Sequence, residues 1–138
     1  PTLVTYRTLA GGGGGSIPAY ATAKAREVVD AHQASFAMAL RAEIPVIAGT
    51  DAGAPQTPHP ALVDELLVMH EYGMPVAEAL RSATSQAARA IGLPHGAGTI
   101  AEGAPGDLLI LEDDPFADLD NLRRVWGVVR AGRPVSRR

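Results

Sequence analysis

The sequence contains no cysteine, which excludes a disulfide scaffold, a thiolate zinc site and a cysteine nucleophile. It has no apolar run approaching the ~20 residues needed to cross a bilayer, so no membrane partner is expected. No signal-peptide pattern is visible. The first residue is Pro1 rather than methionine, so the natural start is expected upstream, and cytoplasmic is the default localisation. Positive charge is also scarce. Twelve Lys and Arg against fifteen Asp and Glu leave a formal charge of -3. The dense basic patch, Arg133, Arg137 and Arg138, reads as a solvated tail. A nucleic-acid partner would need a clustered basic surface and is not expected. A phosphate loop and a G-x-S-x-G elbow are both missing, which leaves other α/β enzyme classes without support. What remains is a chain of 138 residues, 46% of them apolar, enough for one domain with a real core.

Read along the chain, Thr2–Tyr6 is short and β-rich, as a buried strand would be. Gly11–Gly15, five consecutive glycines followed by Ser16, cannot hold regular structure. The run is either a flexible linker or a mobile loop after a strand. Ala21–Arg41 reads as a helix, with Ala25, Val28, Val29, His32, Phe36 and Ala39 near one face. Pro45 lies just beyond its end. Val46–Thr50 is a second short strand, and strand, helix, strand at this spacing predicts a βαβ unit. The next helix runs over Pro60–Tyr72 with Gly73 as its C-terminal cap. Pro75 opens another helix, with Met74 as the residue before it. A break follows near Thr84 or Ser85, either of which can cap what comes next. Gly92 ends that helix, with Leu93 placed for the usual hydrophobic contact. After Pro94 the texture changes. Gly98–Glu102, Asp107–Leu111 and Val125–Arg130 read as strands, and Ala131–Arg133 as a hairpin turn.

Two strands and their helices do not close a parallel sheet, and open edges and bare faces would remain. A (β/α)8 barrel takes about 250 residues. The pattern fits an α/β fold in which residues 1–95 form the last two βα units of such a barrel. Residues 96–138 then give part of a small β-sandwich domain.

The chemistry centres on Gly49-Thr50-Asp51-Ala52-Gly53. A carboxylate stands at the C-terminal end of an apolar strand, flanked by glycines that let ligand or backbone approach. In a parallel barrel that end carries the active site. An aspartate there can bind metal and carry protons to and from a metal-bound water. Equally, Asp51 can cap the following turn. His59, eight residues on in Thr57-Pro58-His59-Pro60, can reach the same rim to hold substrate or can be a surface loop residue. His32, His70 and His95 form no His-x-His pair and read as packing or surface residues.

Taken in order, the motifs resemble a known family. The residues are GTDAG after an apolar strand, then HP, Glu65 on a helix, GMPVAEALRSATSQAARAIGL, GTIAEGAPGDLLIL, DPFADLDNL and a closing V-x-x-G-x-x-V hairpin. Together they resemble the C-terminal third of the metal-dependent amidohydrolases. The helix His32-x-x-Ser35-Phe36-x-x-Ala39 before GTDAG is similar to the prolidase-like and imidazolonepropionase-like branch. The resemblance covers roughly Val28 to Val135.

It implies a (β/α)8 barrel with a β-sandwich made from both chain ends, and hydrolysis of C–N bonds with one or two zinc ions or another divalent metal. Of the family's metal ligands it places Asp51 alone in this chain, as metal ligand and catalytic residue. The remaining ligands are expected upstream of Pro1. His59 falls where the branch has a substrate-binding histidine followed by glycine, but Pro60 replaces that glycine. Glu43 stands where the family has a helix-ending glycine. Met74 stands where it prefers Ser or Thr as a helix cap, so that a Met74→Ser change is expected to stabilise.

The expectation is therefore a metal-dependent hydrolase of amide, peptide or cyclic amide bonds, acting on a small-molecule or dipeptide-like substrate, with homo-oligomer formation open. The chain alone is expected to bind no metal and to be inactive. The competing expectation is a non-catalytic fragment or interaction module that pairs through its open sheet edges.

Overall fold

The computed structural model describes residues 1–12, 17–54 and 56–135. Among these residues five α-helices precede a three-stranded sheet: α1 Leu3–Ala10, α2 Ala19–Arg41, α3 Leu62–Glu71, α4 Val76–Ser82, α5 Ser85–Ala90, then β1 Leu108–Leu111, β2 Val125–Arg130 and β3 Arg133–Val135.

The first departure from expectation is at the start. Thr2–Tyr6 is not a strand, because Leu3 opens α1. Its β-branched residues favour a strand locally, but the cap that decides the matter comes from far away. The Glu65 carboxylate accepts hydrogen bonds from the Leu3 and Val4 N–H groups at 3.0 and 2.8 Å. These are donors that a helix start would otherwise leave unpaired, and negative charge is favoured at that end of a helix. Gly11 and Gly12 follow directly, with bonds back to Arg7 and Leu9. Gly13–Ser16 lie outside the described residues, and with them the choice between linker and loop. Arg137 and Arg138 of the basic tail also lie outside.

Helix α2 forms as the spacing predicts, but its expected face is only partly covered. Ala25 and Phe36 are buried, whereas Val28 is exposed. Val46–Thr50 is not part of a ladder among the described residues, and so the βαβ unit is not seen. A strand needs a neighbour to exchange hydrogen bonds with. This segment instead uses its Ala48 N–H on the Ser82 carbonyl, 3.0 Å, and its Gly49 carbonyl on the Thr2 N–H, 3.0 Å.

Three helices end in one device. After α2, α3 and α5 the residues Glu43, Gly73 and Gly92 take φ of 53°, 103° and 71°. Each is followed by a residue whose N–H reaches back five positions: Ile44 to Ala39, Met74 to Met69 and Leu93 to Ala88. This is the Schellman arrangement, which satisfies the last helical carbonyls. Two of the three were expected to use glycine. Leu93, however, is half exposed and covers little.

The cap assignments around α4 need correction. The residue before α4 is Pro75, whose carbonyl accepts from Ala79, so Met74 is not the cap. Met74 is instead buried in the core with Phe36, Leu66, Met69, Ala79 and Leu119. The α4–α5 break falls where expected, but no side chain caps α5. The Thr84 hydroxyl donates backward to the Leu80 carbonyl at 2.7 Å.

Strand β2 runs antiparallel between β1 and β3. Ala131 and Gly132, at φ 49° and 73°, make the two-residue turn between Arg130 and Arg133, the type whose twist suits a hairpin. Gly98–Glu102 is not a strand. Gly98 sits at φ 73° so close to the α4–α5 break that an added Cβ would lie 2.5 Å from the Thr84 carbonyl carbon. Leu119 reaches into the helical core. Arg123 on the same 3-10 turn, Leu119–Arg123, pairs with Asp64 of α3 at 2.6 Å and with Asp120 at 2.7 Å. Those two hydrogen bonds, Asp120 first, hold the Arg123 guanidinium above its ordinary pKa.

Candidate functional site around Asp51

Asp51 follows the Ala48–Thr50 segment and turns the chain with φ 53°, a left-handed conformation that is uncommon for a residue with a Cβ but more accessible to aspartate than to most. Its carbonyl accepts from the Ala54 N–H at 3.1 Å, and the loop closes through Gly53 N–H to the Thr57 carbonyl at 2.9 Å. The Asp51 residue is exposed, and its carboxylate makes no hydrogen bond or ion pair among the described residues. The turn is thus built by backbone groups, not by the aspartate side chain.

Support comes from beneath. The Thr5 hydroxyl on α1 donates to the Thr50 carbonyl at 2.6 Å and lies 3.3 Å from the Thr57 hydroxyl. Thr5, Thr57 and Glu65 are all buried. Glu65 fixes the start of α1, α1 carries Thr5, and Thr5 holds the peptide that leads into Asp51. Sequence reading named Glu65 only as part of a motif and missed Thr5 and Thr57. One signal was available for Glu65. It stands four residues after Ala61 and four before Met69, on the face of α3 that buries both.

His59 lies in an exposed turn spanned by the Ala61 N–H to Pro58 carbonyl bond, 3.0 Å. The structure makes no hydrogen bond between His59 and Asp51. The other histidines are occupied elsewhere or exposed. His32 meets the Tyr6 ring edge-on at 5.1 Å, the His70 ring is 2.8 Å from the Met74 carbonyl, and His95 is in an exposed turn.

A cleft of about 370 Å³ opens beside the loop, between α1 and α3, lined by Val4, Arg7, Gln56, Thr57, Asp64 and Glu71. At its rim, Arg7 pairs with Glu71 and lies 5.9 Å over the Tyr72 ring. The hydrogen bond to Glu71 outweighs partial burial and holds the Arg7 guanidinium above its ordinary pKa.

Zinc sites take three or four protein ligands. Among the described residues no three His, Cys, Asp or Glu side chains come together as a metal-holding group. A single unpaired carboxylate does not fit a whole metal site, so these residues do not make one by themselves.

Comparison with known proteins places the chain. The Amidohydrolase family model matches residues 7–135. A curated relative, the uncharacterized protein Rv2915c of Mycobacterium tuberculosis (strain ATCC 25618 / H37Rv), is 34% identical over 117 residues, 83% of this chain and 30% of its own length. Two solved structures are similar throughout. A Xaa-Pro dipeptidase with bound methionine in the active site has TM-score 0.87 and 27% identity, over 99% of this chain and 34% of that one. A prolidase complexed with N-methylphosphonate-L-proline has TM-score 0.85 and 32% identity, over 100% of this chain and 34% of that one. The chain therefore spans about a third of the length of the relatives it matches. A family match over nearly its whole length, with the same fold at this identity, makes the chain a member of the amidohydrolase family.

Proposed function

We propose that this chain is the C-terminal portion of a metal-dependent hydrolase of C–N bonds, with a dipeptide-like or other small amide substrate, and that Asp51 is its proton-transferring carboxylate. The observation that carries the proposal is the exposed Asp51 carboxylate, unpaired among the described residues, on a backbone held from below. Two similar structures bear an amino acid or a proline phosphonate, which supports a dipeptide-like substrate. In this reading residues 1–95 supply the end of a (β/α)8 barrel and residues 96–138 part of a β-sandwich.

Asp51 would be one ligand of zinc or another divalent metal, the rest coming from other parts of the longer protein. A metal of this kind supplies a polarised water. Asp51 takes the proton from the attacking water and passes it to the departing amine nitrogen, so the acyl–nitrogen bond breaks as the acyl–oxygen bond forms. A carboxylate can serve both steps because each leaves it in the state the other needs. His59 is proposed to contact substrate from the loop.

The test is Asp51→Asn in the full-length enzyme. Turnover should fall by at least ~100-fold at saturating metal, with circular dichroism and melting temperature near wild type. His59→Ala should cost much less. Asp51→Asn with more than half of wild-type turnover would end this reading. Residues 1–138 alone should hold no stoichiometric zinc after dialysis.

A further inference from the structure

We infer that Thr5, backed by Thr57 and by Glu65 at the head of α1, is a positioning residue that sets the backbone from which the Asp51 carboxylate projects. The inference rests on the reading of Asp51 as the proton-transferring group. Among the described residues the buried polar side chains are Thr5, Thr57, Glu65 and Ser82. The Ser82 hydroxyl donates to the Ala79 carbonyl within α4, and the other three are linked beneath Asp51. Thr5 takes the Thr50 carbonyl. Thr57 offers its carbonyl to the Gly53 N–H. Glu65 anchors the two residues immediately before Thr5. Hydrophobic burial alone would not gather these three polar side chains beneath one loop.

The hydrogen-bond directions follow from the donors present. A threonine hydroxyl has one proton. The Thr5 proton goes to the Thr50 carbonyl at 2.6 Å, so the Thr57 hydroxyl, 3.3 Å away, donates to Thr5. The Thr50 carbonyl belongs to the peptide group whose nitrogen is that of Asp51. Fixing the carbonyl fixes the plane about which the Asp51 φ is measured, and that φ is 53°. The left-handed region is sparsely populated even by aspartate, so without that hold the peptide plane would turn more freely and the carboxylate would swing with the backbone. The Thr50 carbonyl accepts no other hydrogen bond among the described residues. Among the described residues Thr5 is thus the only hydrogen-bonding hold on that carbonyl, and Glu65 keeps Thr5 in place.

The test uses the full-length enzyme with Thr5→Val, which keeps the shape and loses the hydroxyl, and Thr5→Ser, which keeps the hydroxyl. Amide hydrogen exchange, read by mass spectrometry over residues 50–57, should rise about tenfold or more in Thr5→Val and return toward wild type in Thr5→Ser. A displaced catalytic group costs rate more than binding, so kcat should fall by about 10- to 100-fold with KM within about twofold. Placed on Asp51→Asn, Thr5→Val should add almost nothing, because both act through one group. If Thr5→Val does not fold, Thr57→Val replaces it and should shift exchange and kcat in the same direction by less. Unchanged exchange, or a kcat loss that multiplies fully onto that of Asp51→Asn, overturns the inference alone. Wild-type turnover in Asp51→Asn overturns the reading beneath it, and the inference with it.

Discussion

Glu43 offers a clean measurement of what a single backbone angle costs this fold. It occupies the left-handed position after α2, with φ 53°, its N–H bonded to Leu40 and the next N–H bonded to Ala39. Glycine occupies the same position after α3 and α5. The Glu43 side chain is exposed and makes no hydrogen bond or ion pair among the described residues, so truncating it loses no contact. Glu43→Gly removes a Cβ penalty of about 1–2 kcal/mol and a negative charge at the negative end of a helix dipole, ~0.3–1 kcal/mol. Against these stands the greater freedom of glycine in the unfolded chain, about 0.4–1 kcal/mol. The net is a gain of about 1 kcal/mol, measured as a shift in the urea midpoint at unchanged m-value. Two further variants separate the contributions. Glu43→Ala keeps the Cβ and loses the charge, so it should gain only the dipole part. Glu43→Asn should fall between Ala and Gly, since asparagine tolerates the left-handed region. A Glu43→Gly protein no more stable than wild type, or an order in which Ala equals Gly, would show that backbone strain is not what this position costs.

Met74→Ser, which its place before α4 would suggest as a stabilising cap, should instead lose about 2–5 kcal/mol, because Met74 is 4% exposed within the core. Met74→Leu should stay within about 1.5 kcal/mol of wild type, and thermal melts of the two variants check both. Asp51→Gly in the full-length enzyme should melt at or above the wild-type temperature while losing at least ~100-fold in turnover; a large drop in melting temperature would return Asp51 to a structural role.

Elements whose cause lies within a few residues were legible in the sequence. Gly73 and Gly92 announced the ends of α3 and α5, where a left-handed angle favours glycine, and Ala131–Arg133 announced the β2–β3 turn. The α2 face pattern gave that helix almost to the residue. Elements decided at a distance were not. Whether Thr2–Tyr6 coils into a helix depends on Glu65, some sixty residues later, and no window of local pattern contains both. Met74 was misread for a related reason. A residue before a proline and a helix looks like a cap, yet its side chain is buried in the core cluster that includes Phe36 and Met69. Gly98–Glu102 has a strand's composition, but the close approach of Gly98 to Thr84 and Ser85 makes it a packing loop.

The candidate site was legible as a motif and opaque as a mechanism. Glycines flanking Asp51 suggested close approach of ligand or backbone, and Asp51 itself could have capped a turn, which an aspartate does with its side chain. Here the turn is closed by the Asp51 carbonyl and by Gly53 N–H to Thr57, bonds that any residue could make. Glycine would serve φ 53° at both Asp51 and Glu43, although aspartate bears the left-handed region more easily than glutamate. The two positions share a backbone angle and differ in what surrounds them. Glu43 stands at an exposed helix end, while Asp51 stands over the buried Thr5, Thr57 and Glu65. Strain alone does not mark a functional residue. A left-handed angle set over buried hydrogen bonds, beneath a carboxylate with no structural partner among the described residues, is what the proposed role of Asp51 in chemistry outside the fold rests on.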